Sequence, residues 1–234
     1  MFTTIRQEME RELIFVNVFE TIIEYKSGYL SGVGTTVSLS LLGVLVGVIL
    51  GIVLVLMRIS SIKPLRWISV TYIEVFRGTP LLVQLFIVYF GLSEYGISTS
   101  MFGAGLIAVS MNSAAYLAEI FRAGIQGVDR GQAEAARSLG MGRAMTFRHI
   151  VMPQAFRSVL PAIGNEFVTI IKETSIVSVI GLADLMFETN IIRSKTYTAL
   201  APLLGAAFFY FIMTFTLSKG IVALERKLNK DDRN

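Results

Sequence analysis

The chain first becomes patterned at Val33–Met57, "VGTTVSLSLLGVLVGVILGIVLVLM", a run with no charged residue. A hydrocarbon core of about 30 Å takes roughly 20 apolar residues of helix, so this run predicts a transmembrane span. Gly43, Gly47 and Gly51 recur at four-residue spacing within it and form a smooth stripe for close helix approach. Four further spans are predicted at Trp67–Leu92, Met101–Arg122, Ser158–Gly181 and Ala199–Ile221. Polar connections separate them at Arg58–Arg66, Ser93–Ser100, Ala123–Arg157 and Leu182–Thr198. The predicted fold class is all-α, a polytopic membrane protein with five transmembrane helices.

The second span is irregular, because "EVFRGTP" (Glu74–Pro80) interrupts it. The apolar run after the break, Leu81–Leu92, makes only about 18 Å of helix and cannot cross alone. The residues before the break therefore belong to the same span. Pro80 removes a backbone donor, Gly78 permits a bend, and Glu74 and Arg77 at i, i+3 can neutralise each other. Such an interrupted segment either lines a transport pathway or is a structural kink with a self-paired ion pair.

Composition agrees with a membrane setting. The 234 residues are 53% hydrophobic and only 16% charged, with mean hydropathy +0.65, more apolar than soluble domains. The formal net charge of +4 would suggest nucleic acid in a soluble chain. In a membrane chain the placement of the basic residues is what informs, and no nucleic-acid partner is expected. Lys and Arg gather in the connections at 58–66 and 122–157 and beyond residue 218. Arg6, Arg11, Lys26, Arg193 and Lys195 lie on the opposite side. The positive-inside rule puts the N-terminus outside and the C-terminus in the cytoplasm, as an odd span count requires. Residues 1–30 mix Arg6, Glu8, Glu10, Arg11 and Glu12 with short apolar patches and carry no signal-peptide pattern. Leu13–Leu30 reads as an interfacial amphipathic segment or a loosely packed arm. The expected division is 1–30 interfacial, 31–224 membrane domain and 225–234 cytoplasmic tail. The absence of cysteine excludes disulfides and thiolate metal sites. His149, the single histidine, has no second ligand candidate nearby, so no metal site is expected.

The largest cytoplasmic connection has its own helical pattern over 124–157. Asp129 can cap a helix with Gln132 at the capping-box position, "RGQAEAARSL" is rich in helix formers, and Gly140 stands at a C-terminal cap. A second helix, Arg143–Met152, is expected to stop at Pro153. Ala133, Ala135 and Ala136 offer a small-residue surface, Glu134 and Arg137 offer charges, and Met141, Phe147, Ile150 and Val151 offer apolar anchors to a partner. The alternative is a solvated loop packed on the protein's own helix ends.

The stretch "EAARSLGMGRAMTFRHIVMPQA" resembles the EAA loop of ATP-binding-cassette importer permeases, in which an E-A-A triplet precedes a Gly and then Ile-x-x-Pro. Glu134-Ala135-Ala136, Gly140 and Ile150–Pro153 carry the match, and Met152 departs from the Leu usual before that Pro. "EVFRGTPLLVQL" (Glu74–Leu85) and "NSAAYLAEIFRAGI" (Asn112–Ile125) resemble the polar-amino-acid branch of the family. Together the likeness covers Leu30–Leu224. It implies a permease subunit in a bacterial plasma (inner) membrane whose loop docks a cytoplasmic ATPase through Glu134 and Gly140. It also implies an external solute-binding protein, a second permease subunit (identical or different), and a polar amino acid such as glutamine, glutamate, arginine or histidine as substrate. Lys26 and Lys195 are the only lysines followed by Ser or Thr, and neither follows Gly, so no phosphate-binding G-x-x-x-x-G-K-[ST] occurs. The chain is thus expected to be a transporter subunit with no ATPase site or cofactor of its own, ATP and Mg binding to the partner.

Ionisable residues at membrane depth usually face a cavity or a partner. Asn165, Glu166, Thr169, Lys172 and Glu173 fall within about 120° on the fourth span, and Asn112, Tyr116 and Glu119 within about 60° on the third. The two stripes are expected to face each other or a shared pathway. There Lys172 would meet a substrate carboxylate, Glu166 or Glu173 an amino group, and Asn112, Tyr116, Thr169 and Gln84 would supply neutral hydrogen bonds. The alternative is internal satisfaction, with Lys172 paired to a carboxylate. Two rival functions remain: an ion-coupled secondary transporter with Glu119, Glu166 and Lys172 as relay, and a membrane adaptor that only anchors an ATPase.

Overall fold

The structure, a computed structural model, describes residues 17–231, with side chains to residue 228. Residues 1–16 of the expected N-terminal segment and 232–234 of the expected tail lie outside the described residues. The described helices are α1 (17–24), α2 (Lys26–Ile59), α3 (Lys63–Gly78), α4 (Leu81–Phe86), α5 (Met101–Gln126), α6 (Arg130–Ser138), α7 (Arg143–Thr146), α8 (Met152–Glu173), α9 (Leu185–Thr196) and α10 (Leu200–Asp231). A π-helical turn, Ile87–Gly91, carries α4 on towards Glu94, and a second, Phe147–Val151, joins α7 to α8. A 3₁₀ stretch, Thr174–Ile180, extends α8. No strand occurs among the described residues.

Three helices, α2, α5 and α10, are individually long and apolar enough to cross a membrane. Two bent pairs also qualify, α3 with Leu81–Glu94 at 107° and Arg143–Ile180 with α9 at 55°. Counting each pair as one crossing gives five.

The packing of α2 is inverted relative to a soluble helix. It buries Thr36, Ser40, Gly43, Gly47 and Gly51 and exposes Leu45, Ile49 and Leu56. In hydrocarbon an exposed leucine loses nothing, and small residues let backbones meet closely. A Cβ on Gly43 would stand 2.6 Å from Val109, and one on Gly47 3.0 Å from Ser113. The expected glycine stripe is therefore the seat of α5. Helix α8 closes on the same seam, where Val44, Val109 and Ile170 meet. Leu39, Leu85, Ala104 and Val177 tie α4 into a neighbouring cluster.

Four boundaries differ from expectation. Helix α2 begins at Lys26, after a turn at Tyr25, so a division at residue 30 falls inside a helix. The connection at 182–198 contains α9, whose N-cap Asp184 accepts a hydrogen bond from the Phe187 amide at 2.9 Å. Helix α10 continues past Ile221 to Asp231. Pro153 does not end the loop's second helix. A proline crowds the carbonyl four residues back, here His149, and the wider π-helical turn at Phe147–Val151 opens the ladder at that place. As a result α7 runs into α8 without a break.

Gly32 lies on α2 under the start of α9. A Cβ there would stand 2.7 Å from the Leu185 Cα and 2.9 Å from the Asp184 carbonyl, both backbone atoms that cannot rotate away. Gly32→Ala is expected to lower stability by about 1–3 kcal/mol, whereas at Gly34 a Cβ meets nothing within 4 Å and Gly34→Ala should melt no lower than the parent. Thermal unfolding of both variants in detergent checks the contrast.

Candidate functional site

The break falls at Thr79 and Pro80, which are both extended (ψ 144° and 139°) and turn the chain by 107°. Gly78 is the last helical residue, and a Cβ on it would meet nothing, so the bend does not depend on glycine. Breaking a helix frees carbonyls that lipid cannot hydrate. Gln84, buried on α4, answers this: its Nε2 donates to the Phe76 carbonyl (2.9 Å), the Thr79 carbonyl (3.0 Å) and Thr79 Oγ1 (2.9 Å). Its Oε1 accepts from Asn112 Nδ2 of α5 at 3.1 Å, and the same nitrogen reaches the Phe76 carbonyl at 3.3 Å. The two amides expected to offer hydrogen bonds to substrate are engaged with the backbone of the break.

Two turns further along α5 from Asn112, Glu119 gathers three arginines. Arg58 Nη1, at the end of α2, lies 2.9 Å from its Oε1. Arg122 Nη2 and Nε lie 2.9 and 3.0 Å from Oε2. Arg77 Nη1, at the end of α3, lies 3.9 Å from Oε2, and its guanidinium stands 5.5 Å from the centre of the half-exposed Tyr116 ring. The expected Glu74–Arg77 pair does not form, because the end of α3 brings Arg77 to a carboxylate on another helix. Glu74 is exposed with no ion pair among the described residues. All four side chains keep contact with solvent, so each pair is worth about 1 kcal/mol or less and the cluster acts as a clasp on three helix ends. Glu119 and Arg122 at i, i+3 were a legible signal for it; Arg58, placed in a connection by its sequence, was not.

The two polar stripes do not face each other. Asn112 and Glu119 look towards the ends of α2 and α3 and the break. Of the polar stripe on α8 only Glu166 is buried, with its carboxyl towards Ser113 of α5. Asn165, Lys172 and Glu173 are exposed, and Thr169 is half-buried with its hydroxyl donating to the Asn165 carbonyl at 3.1 Å. Lys172 forms no ion pair among the described residues, contrary to internal pairing. No ion pair or hydrogen bond links Glu119, Glu166 and Lys172 to one another among the described residues.

The loop folds as two helices around a turn. Asp129 Oδ1 accepts from the Gly131 amide at 2.7 Å and caps α6. Gly140 adopts φ +87°, and the Met141 amide donates back to the Ala136 carbonyl at 3.1 Å. Such a left-handed cap satisfies the last carbonyls of a helix. Ala136 is buried, while Glu134, Ala135 and Arg137 are exposed. Met141, Phe147, Ile150 and Val151 are half-buried, so they serve partly as the loop's own packing. Between Arg130 and Val151 the most exposed large apolar groups are instead Leu139 (85%) and Met145 (54%), both absent from the predicted anchors. A cavity of about 780 Å³ lies between α5, α8 and the start of α6, lined in part by Gly124, Asp129, Gln132, Gln154 and Arg157. His149 joins no cluster of three metal-ligating side chains among the described residues.

A helical membrane protein with a broken span and a capped helix pair defines a class of transport subunit. The chain belongs to the family of binding-protein-dependent transport system inner membrane components, whose profile matches residues 43–230. It is therefore a multi-pass membrane subunit of a transporter, as the loop motif implied. It is 45% identical over 178 residues to the arginine transport system permease protein ArtQ of Bacillus subtilis (strain 168), covering 76% of this chain and 81% of that one. It is 40% identical over 175 residues to the probable glutamine ABC transporter permease protein GlnM of the same organism, covering 75% and 81%. A crystal structure of an amino acid ABC transporter with histidines superposes with TM-score 0.87 at 49% identity, over 89% of this chain and 98% of that one. The MetNI methionine ABC transporter shares the fold, at TM-score 0.68 and 16% identity over 89% and 96%.

Because Gln84 holds the carbonyls of the break, Gln84→Leu is expected to lower stability by about 1–3 kcal/mol, the penalty for a buried unpaired polar group. Gly78→Ala should leave it unchanged. Thermal melting of both variants in detergent separates a break held by side-chain amides from one held by glycine.

Proposed function

We propose that the chain is the transmembrane permease subunit of an ATP-driven importer for polar amino acids. The observation that carries this reading is the loop at Arg130–Val151. It offers Glu134, Arg137 and Leu139 outwards and is continuous with a helix that bears the exposed Lys172. A cytoplasmic ATPase docks on that surface and supplies the ATP and Mg, since this chain has no phosphate-binding loop of its own. The substrates named for the relatives, arginine and glutamine, favour a polar amino acid here.

The chain crosses the membrane five times, with the N-terminus outside and the C-terminus in the cytoplasm. An exposed lysine and glutamate at membrane depth are costly against lipid. That face of α8 therefore meets a second permease subunit across a watery path. Lys172 takes the substrate carboxylate and Glu173 its amino group. An external binding protein delivers substrate to the side that carries Ser93–Ser100 and α9. Closure of the ATPase pair moves the loop and turns the path outward.

Glu134→Lys and Leu139→Asp should each abolish co-purification of the ATPase while the chain still inserts; retained association in both overturns the docking surface. Lys172→Ala should lower uptake about tenfold, the scale of one lost charge-assisted hydrogen bond, with ATPase association intact. Because the chain has no cysteine, sidedness is directly testable. An impermeant maleimide applied to intact cells should label Ser98→Cys and spare Ser61→Cys, and the reverse pattern overturns the orientation.

A further inference from the structure

The Glu119 clasp borders a cavity. It has a volume of about 490 Å³ and is lined by Arg58, Ser60, Arg66, Arg122 and Gln126, with Ile59 and Val70 completing it. Three arginines thus line one space. The carboxylate beside it, Glu119, is already shared among Arg58, Arg122 and Arg77. Arg122 also donates to Gln126 Oε1. Arg66 is exposed and has no ion-pair partner among the described residues. The cavity therefore holds a surplus of positive charge with one guanidinium uncommitted.

Arg66 and Val70 also line a second groove of about 560 Å³, completed by Lys63, Pro64 and Trp67. This one is apolar, and Trp67, 70% exposed, forms its wall. A charged socket and an apolar groove share an edge on one face of α3. Free phosphate would occupy only the socket, and a hydrocarbon only the groove. A phosphodiester with acyl chains fits both, its oxygens accepting from the guanidiniums and one chain lying along Trp67 and Val70. A zwitterionic headgroup would set its own cation against the surplus charge, so an anionic one is favoured.

We infer that the Arg58–Arg66–Arg122 socket and the Trp67 groove bind one anionic glycerophospholipid of the cytoplasmic leaflet. The leaflet assignment rests on the proposed orientation; the binding chemistry does not. The bound headgroup neutralises the ends of α2, α3 and α5 where the clasp leaves excess charge.

Trp67 is the only tryptophan in the chain, so its fluorescence reports the groove alone. The full chain in mixed detergent–lipid micelles is titrated with phosphatidylglycerol or phosphatidylcholine brominated on the acyl chain. Half-maximal quenching should need several-fold less phosphatidylglycerol. Arg66→Gln should weaken that preference about fivefold, the scale of one arginine at an anionic surface, and Arg66→Lys should retain most of it. Equal quenching by the two lipids overturns the site, as does an unaltered preference in Arg66→Gln. Displacement of phosphatidylglycerol by inorganic phosphate at matched ionic strength would assign the socket to a free anion instead. Micelles expose both faces, so a wrong orientation leaves these results untouched and shows only in the Ser61→Cys and Ser98→Cys labelling.

Discussion

The close approach of α2 and α5 sets the polar contacts that α5 makes with its neighbours. In lipid no hydrophobic force drives two apolar helices together, so contact must come from shape. Gly43, Gly47 and Gly51 supply that shape by letting Val109, Ser113 and Leu117 sit against the backbone of α2. Once α5 is seated, its faces are assigned. Ser113 turns to Glu166 on α8, Asn112 turns to the break, and Glu119 turns to the ends of α2 and α3. A single added methyl at Gly47 would press on Ser113 and disturb the two neighbouring contacts together.

The second constraint is that a broken helix in a membrane must satisfy its own carbonyls. The break strips Phe76 and Thr79 of helical partners, and Gln84 and Asn112 reach their carbonyls instead. This is why polarity inside a span is an ambiguous signal. The same amide that suits an amino-acid substrate also suits a stranded backbone carbonyl, and only the partner in space distinguishes the two roles. Lys172 and Glu173 are exposed on α8, and neither side chain holds a backbone carbonyl among the described residues.

Much of the fold was legible because lipid imposes strong patterns. Uncharged runs marked the helices, the glycine spacing marked a close contact, and Asp129 and Gly140 marked the ends of α6. What escaped were choices between partners. Local spacing favoured Glu74 for Arg77, but the geometry at the end of α3 presents Arg77 to Glu119, which holds two other arginines and lies on a neighbouring helix. Angular clustering placed Glu166 with Lys172, yet an arc of about 120° is wide enough to straddle the edge between a buried and an exposed face. Pro153 carried a true stop signal that a π-helical turn overrode, and no periodicity reveals such a turn in advance. Leu139 stood beside a correctly placed cap, but only the left-handed turn at Gly140 shows that it points outwards.

The continuity of α7 and α8 bears on how motion would travel. Had Pro153 ended the loop helix, a flexible joint would separate the docking surface from the polar stripe. Instead one helical rod joins Arg143 to Lys172, about 40 Å at the rise of an α-helix. A cavity of about 780 Å³ lies along the rod between α8 and α5. At its wall Val159 presses on Gly124 of α5, and the two helices touch there side chain to backbone. That contact gives the rod a point about which to pivot. On the proposed reading, a displacement at Arg143 then reaches Lys172 with reversed direction, and that swing is what an alternating path requires of a helix that carries the substrate's charged contact.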